Sequence, residues 1–342
     1  MKQKCNALQE LRAVLFLMVL LFHCHIPGSQ FFWNGVEIFF VISGYFIFQT
    51  LLEHKEGSVG KFVKKRIKRL YFPLYLILII LCNLIGMIAM GEFRLHKTLY
   101  YFLGVQNYGA FELLLDDNSI MIHTWTVAVE LQTILIIGLM TFLYDKVRAK
   151  RETMIVALTV ISLGYGMASY YLFHNYKMYT ESPLAHLVCF AIGGFAYLRT
   201  KQGKKLWEDI GMLLVGILGM VYICYRLTDT LSCGMLQALL SMDSSNISLE
   251  LGPYMILVYP LIGLAGGGIM GLLMRIPNDC CKCKPLICMG DHSYTLYLCH
   301  FPIVSILFLF LDNVWVVFGI SLVLTLLIGF GYDAFYHKKA AA

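Results

Sequence analysis

Arg12 and His23 stand eleven positions apart in a stretch of the chain that is otherwise almost wholly apolar. On an α-helix eleven steps of 100° return to within ~20° of the starting face, and the axial rise is about 16 Å. One helical face would therefore carry a guanidinium at one end and an imidazole at the other. That separation is close to the reach of an extended pantetheine arm, so the arginine could hold a phosphate at one mouth while the histidine meets the far end. A snorkelling arginine and a hydrogen-bonded bundle histidine are the bland alternative. Ionisable groups at the centre of a membrane helix cost about 2.5–3.5 kcal/mol each on insertion scales, which makes both functional candidates. His25, two residues beyond His23, would point about 200° away if the helix continued.

Four further groups of residues join this pair. Glu37 lies in the first turn of a second apolar stretch, Gly35-Val-Glu-Ile-Phe-Phe-Val-Ile-Ser-Gly44, after a short turn at Pro27 and Gly28. At that depth its carboxylate could orient the His23 imidazole or raise its basicity. Gly44 falls on the same helical face as Glu37 and should permit close helix packing. Glu130, in His123-Thr-Trp125-Thr-Val-Ala-Val-Glu130, sits several residues into another apolar stretch. A carboxylate buried there must be paired or protonated. Arg66 and Arg69 share a face at i, i+3, and paired guanidinium forks suit a phosphate, although basic clusters at span ends are also what membrane topology demands. Ser293, Tyr297 and His300 fall at i, i+4, i+7 and form a polar stripe, a pattern that serves equally as glue between helices.

Cys280, Cys281, Cys283 and Cys288 cluster in sequence, but not as a pair of C-x-x-C elements, and no metal site is expected there. Eleven cysteines, most of them inside apolar runs, imply small buried hydrophobes and no disulfide framework.

The elements that must position these groups follow from composition. Apolar residues make up 59% of the 342 and charged residues only 14%, and mean hydropathy is +0.71. Soluble domains carry about 25% charged residues, so a soluble enzyme is excluded. A net charge of +6, scattered along the chain, does not suit a nucleic-acid partner. Apolar runs near 20 residues exclude a β-barrel and indicate membrane helices. Ten such runs are expected: 8–26, 33–52, 70–90, 124–144, 154–173, 183–198, 210–226, 252–274, 287–311 and 314–332. The first is not expected to be a cleaved signal peptide, because it holds Arg12, His23 and His25 and no small-x-small site follows.

With ten spans, one side of the membrane collects 23 of the 27 basic residues and the other only Arg94, Lys97, Lys177 and Arg226. Both termini are then expected in the cytoplasm. The fold expected is an all-α polytopic bundle of about ten transmembrane helices, with one membrane-embedded domain over 1–336 and a short cytoplasmic tail over 337–342.

Five motifs occur in one order, and together they make the chain resemble the acyltransferase-3 family of integral membrane acyltransferases. They are Leu11-Arg12-Ala13 with His23, the Gly35–Gly44 segment, Arg66-x-x-Arg69 followed by Pro73, Trp125 with Glu130 and Gln132, and Ser293-Tyr294 through Tyr297-Leu298-x-His300. The family usually has Asp where Glu37 stands, which preserves the charge. Unlike in larger members, no extracytoplasmic hydrolase-like domain is expected after the membrane part. The resemblance implies transfer of an acyl group, usually acetyl, from cytoplasmic acyl-CoA to a hydroxyl of a glycan or lipid-linked saccharide. Acetyl-CoA is then a donor substrate, and no permanently bound cofactor is implied. The expected setting is the bacterial cytoplasmic membrane.

On this reading His23 is the general base, oriented or charged by Glu37 or Glu130. Arg12, Arg66 and Arg69 bind the donor, and Trp125, Ser293, Tyr297 and His300 line the substrate pocket. A ping-pong route through acyl-His23 is the variant of the same chemistry. The rival class is a proton-coupled transporter or flippase, in which His and Glu relay protons. Transporters commonly show repeat symmetry between halves, and none is evident in the sequence.

Overall fold

The computed structural model describes residues 5–53, 59–71, 74–90, 95–107, 120–172, 179, 182–203, 205–231, 252–278 and 280–341. Every regular element among them is helical. The helices are α1 (Asn6–His23), α2 (Gly35–Glu53), α3 (Val59–Tyr71), α4 (Leu74–Met90), α5 (Leu95–Leu103), α6 (Trp125–Lys146), α7 (Met154–Tyr171), α8 (Pro183–Lys201), α9 (Leu206–Leu231), α10 (Gly252–Leu273), α11 (Lys284–Asp291), α12 (Ser293–Leu307) and α13 (Val314–Ala341).

Each of the ten apolar runs holds a helix. Among the described residues seven are long and apolar enough to cross a membrane: α1, α2, α6, α7, α9, α10 and α13. The other three are α4, α8 and α12. α4 has 17 residues and α12 has 15, against the ~20 that a bilayer core asks of a perpendicular helix. α8 is long enough but is diluted by His186, Arg199 and Lys201 and is enclosed on almost every side. Leu139, Val156, Leu218 and Leu327 are among the large apolar side chains exposed on the outer helices, as expected where the solvent is lipid.

The run expected over 287–311 is broken. α11 ends at Asp291, His292 caps both helices with φ −96° and ψ 7°, and α12 begins at Ser293. The His292 ring bonds Asp333 of α13, and a Cβ on Gly290 would collide with the Gln9 backbone of α1. The bend thus lets α11 lie on α1 while α12 turns into the bundle.

Two close helix crossings hold the centre. A Cβ on Gly44 of α2 would strike the Phe190 backbone of α8, and one on Gly193 of α8 would strike the Val41 carbonyl of α2. Gly216 of α9 and Gly268 of α10 stand in the same relation to each other's helices. Within lipid, helices associate through such small-residue contacts because burial of apolar surface offers no advantage over lipid tails. Asp209 binds both Arg199, at 3.0 Å, and Arg275, at 2.7 Å, joining α8 and α9 to the turn that follows α10. α3 is a strongly amphipathic helix that exposes Lys64, Lys65, Lys68 and Arg69 and buries Phe62, Leu70 and Tyr71, the pattern of a helix lying at a membrane surface. Pro73, part of the arginine motif, lies outside the described residues.

Candidate active site

Arg12, Arg66 and Arg69 converge on one cavity of about 490 Å³, which Ser43, Glu130, Ser293 and Tyr297 also line. Two helices deliver the arginines: α1 brings Arg12, and the last two turns of α3 bring the pair. α1 is set in register by its first turn. The Asn6 amide donates to Asn278 Oδ1 at 2.9 Å, and the Cys283 amide donates to Glu10 Oε1 at 3.1 Å. Arg12 Nε then donates to Ser293 Oγ at 3.1 Å, at the start of α12. Glu130, half-buried on α6, accepts from Ser43 of α2 at 2.7 Å. Burial lowers the Arg66 pKa, and the Glu130 carboxylate acts the other way. The cavity combines three cationic forks with two carboxylates, Glu130 and Asp291, a net positive field suited to a polyanion such as a pyrophosphate.

His23 closes α1 at its other end, on the side of the helix that also faces α12. Its ring centre lies 5.3 Å from that of His300 and 4.6 Å from that of Phe301. His300 in turn lies 5.2 Å from His123 and 5.2 Å from Tyr297. Tyr297 donates to the His123 carbonyl at 2.9 Å and accepts from Thr126 Oγ1 at 2.8 Å. The polar stripe of α12 thus faces inward: Ser293 meets Arg12, Tyr297 meets the entrance of α6, and His300 meets His23. His23 is half-buried, whereas His123 and His300 are 1% and 0% exposed. His25 leaves the cluster. The helix has ended, its φ is +53°, and its exposed ring contacts Phe308.

Glu37 does not sit where its depth alone suggested. It is fully buried, and its carboxylate is held by His186 Nδ1 at 3.0 Å and by the Cys189 thiol at 3.3 Å, both on α8. The reason is the Gly44 and Gly193 crossing. Glu37 shares a face with Gly44, and that face is the one pressed on α8, so the carboxylate turns to α8 and not to α1. Trp125 belongs to the same region, its ring 5.4 Å from His186 and 6.5 Å from Phe40. Glu130 likewise is placed among the arginines and Ser43. Neither carboxylate is the partner of His23 that sequence reasoning expected.

Three residues absent from the sequence-based site now belong to it or border it: His123, His186 and Cys189. His186 carried the same signal as Arg12, an ionisable group inside an apolar run, and His123 stands two residues before Trp125. For Cys189 there was no signal, since a thiol in such a run reads as a small hydrophobe. Among the described residues no group of three or more His, Cys, Asp or Glu side chains is arranged to hold a metal ion.

A helical bundle with seven helices long and apolar enough to cross a membrane among the described residues, and with an arginine-lined cavity joined by one helix to a histidine cluster, defines a multi-pass membrane protein. The chain belongs to the acyltransferase-3 family: the family's acyltransferase domain matches residues 6–333. Relatives include the O-acetyltransferase OatA of Staphylococcus aureus, in strains NCTC 8325 and COL, each 25% identical over 321 residues covering 87% of this chain and 50% of the relative. The chain therefore spans about half the length of the curated relatives it matches. No solved structure matches it significantly.

Proposed function

We propose that the protein is a membrane O-acyltransferase that moves an acyl group, acetyl first among them, from acyl-CoA to a hydroxyl of a cell-surface glycan or lipid-linked saccharide. The observation that carries this reading is that Arg12, Arg66 and Arg69 line one cavity while the helix bearing Arg12 ends at His23. Donor phosphates would be held by the arginines at the cytoplasmic mouth, and the pantetheine arm would run along α1 toward the histidine cluster. The O-acetyltransferase relatives act on oxygen by their printed name, which supports a hydroxyl acceptor.

His23 is the general base of this reading, being the cluster's partly accessible imidazole. It takes the acceptor hydroxyl proton as the oxygen attacks the thioester carbonyl. The C–O bond forms, the C–S bond breaks, and the proton passes from His23 to the departing thiolate. Direct transfer of this kind uses His23 as base, whereas a route through acyl-His23 would use the same imidazole as nucleophile. Ser293 and Tyr297 border the path between arginines and histidines. Glu130 balances the arginine charges, and Glu37 secures the joint between α2 and α8. Ten spans with both termini in the cytoplasm, in a bacterial cytoplasmic membrane, put the arginines on the side where acyl-CoA is made. Labelled acetyl-CoA supplied to inside-out vesicles carrying the protein should deliver label to the polysaccharide fraction, and right-side-out vesicles given the same donor should not. Label arriving equally from both sides, or from neither, would defeat the reading.

A further inference from the structure

His23 needs a partner that fixes its tautomer and holds the same N–H once it is protonated, and the two carboxylates on hand are committed elsewhere. Glu37 is held by His186 and Cys189, and Glu130 by Ser43 at the arginine cavity. The rings around His23 are Phe22, Phe301 and His300. Of these three, His300 alone can hydrogen-bond.

The protonation state of His300 follows from its own partner. Its Nδ1 faces the Tyr297 carbonyl. A carbonyl only accepts, so Nδ1 carries the hydrogen, and in the neutral ring Nε2 is then a bare lone pair. That Nε2 is buried and has no hydrogen-bond partner among the described residues. A buried polar atom left so is costly and calls for an explanation. The same reasoning applies one ring further: His123 Nε2 donates to the Leu298 carbonyl at 3.2 Å, which leaves His123 Nδ1 as a second buried acceptor. The nest around His23 therefore offers two buried acceptors, His300 Nε2 and His123 Nδ1.

We infer that His300 is the positioning residue of the base: a turn of the His23 ring, whose centre lies 5.3 Å away, brings its N–H onto the unpartnered His300 Nε2 during the reaction, which sets the tautomer that leaves the opposite nitrogen free for the acceptor hydroxyl and holds that same N–H in the imidazolium that forms. The inference rests on His23 being the base. His300 keeps its own proton throughout, so the atom balance of the transfer is unchanged. The backbone carbonyl of Tyr297 does for His300 what a carboxylate does for the histidine of a catalytic triad, through one more ring.

The test uses the full chain in membranes, with labelled acetyl-CoA as donor and total envelope polysaccharide as acceptor. His300→Phe keeps a ring and removes the lone pair. Its kcat should fall roughly 10–100-fold, the usual cost of losing the group that orients a functional histidine, while the KM for acetyl-CoA stays at the wild-type value. His300→Gln returns an acceptor oxygen near the Nε2 position and should recover part of the loss. Wild-type kcat in His300→Phe, equal losses in the Phe and Gln variants, or a parallel rise in donor KM would each overturn the inference. His23→Ala, assayed alongside, separates the two levels. If it is inactive while His300→Phe is fully active, only the role of His300 fails; if it is fully active, the base assignment fails and His300 with it.

Discussion

Arg12 and Ser293 are 281 positions apart in sequence, and the guanidinium Nε of the first lies 3.1 Å from the hydroxyl of the second. This bond aims Arg12 into the cavity and leaves the rest of its fork for a ligand. Arg12→Lys should keep the charge but lose the fork, and CoA affinity measured by equilibrium binding should drop by a smaller factor than in Arg12→Ala. Ser293→Ala should weaken binding less than either. Equal affinity in all three variants would mean that Arg12 serves topology alone.

Arg69 is exposed and Arg66 half-buried on the same face of α3. Arg69→Ala should raise the KM for acetyl-CoA with little change for the polysaccharide acceptor, because one hydrogen bond to a charged group contributes about 1.5–3 kcal/mol. Steady-state kinetics with each substrate varied in turn makes the comparison. An unchanged donor KM in a folded variant would reduce the pair to a surface anchor.

The histidine cluster gives a comparison with an internal control. His23→Ala should lower transfer about 10²–10⁴-fold, the range for a positioned general base, with expression and CoA binding retained. His25→Ala should be nearly silent, since that ring is exposed, sits at φ +53° and contacts only Phe308 among the aromatic rings described. Comparable losses from both would show that the pair acts together.

Glu37 and His186 form a hydrogen-bonded pair inside the bundle, with side chains 1% and 0% exposed. Removing one partner of such a buried bond, so that the other is left unsatisfied, typically costs about 1–3 kcal/mol. Glu37→Ala should therefore lower the thermal midpoint of the detergent-solubilised protein sharply, and Glu37→Gln, which keeps an acceptor, should lower it less. If stability is unchanged while activity vanishes, Glu37 belongs to the chemistry and not to the joint.

The ten-span arrangement predicts sidedness. On a background without reactive native cysteines, Gly203→Cys should be labelled by an impermeant maleimide only from the cytoplasm, and Ser245→Cys only from outside. Labelling of both from one side would remove a span from the count.

Helix formation and membrane character were legible in the sequence because both are local. Backbone bonds close within four residues, and a run of apolar side chains is a run wherever it folds. The same periodicity put Arg12 with His23, and Ser293 with Tyr297 and His300, correctly on single faces. Periodicity cannot say what a face looks at. Glu37 and His23 lie near one another along the chain, yet glycine contacts at Gly44 and Gly193 bring α2 against α8 and hand the carboxylate to His186. The break at His292 is likewise set by partners far away in sequence, Asp333 and the Gln9 backbone. Which helices touch is decided by side-chain fit and by the few places where backbones can approach closely. The histidine nest, assembled from α1, the entrance to α6 and α12, therefore exists only in the tertiary structure.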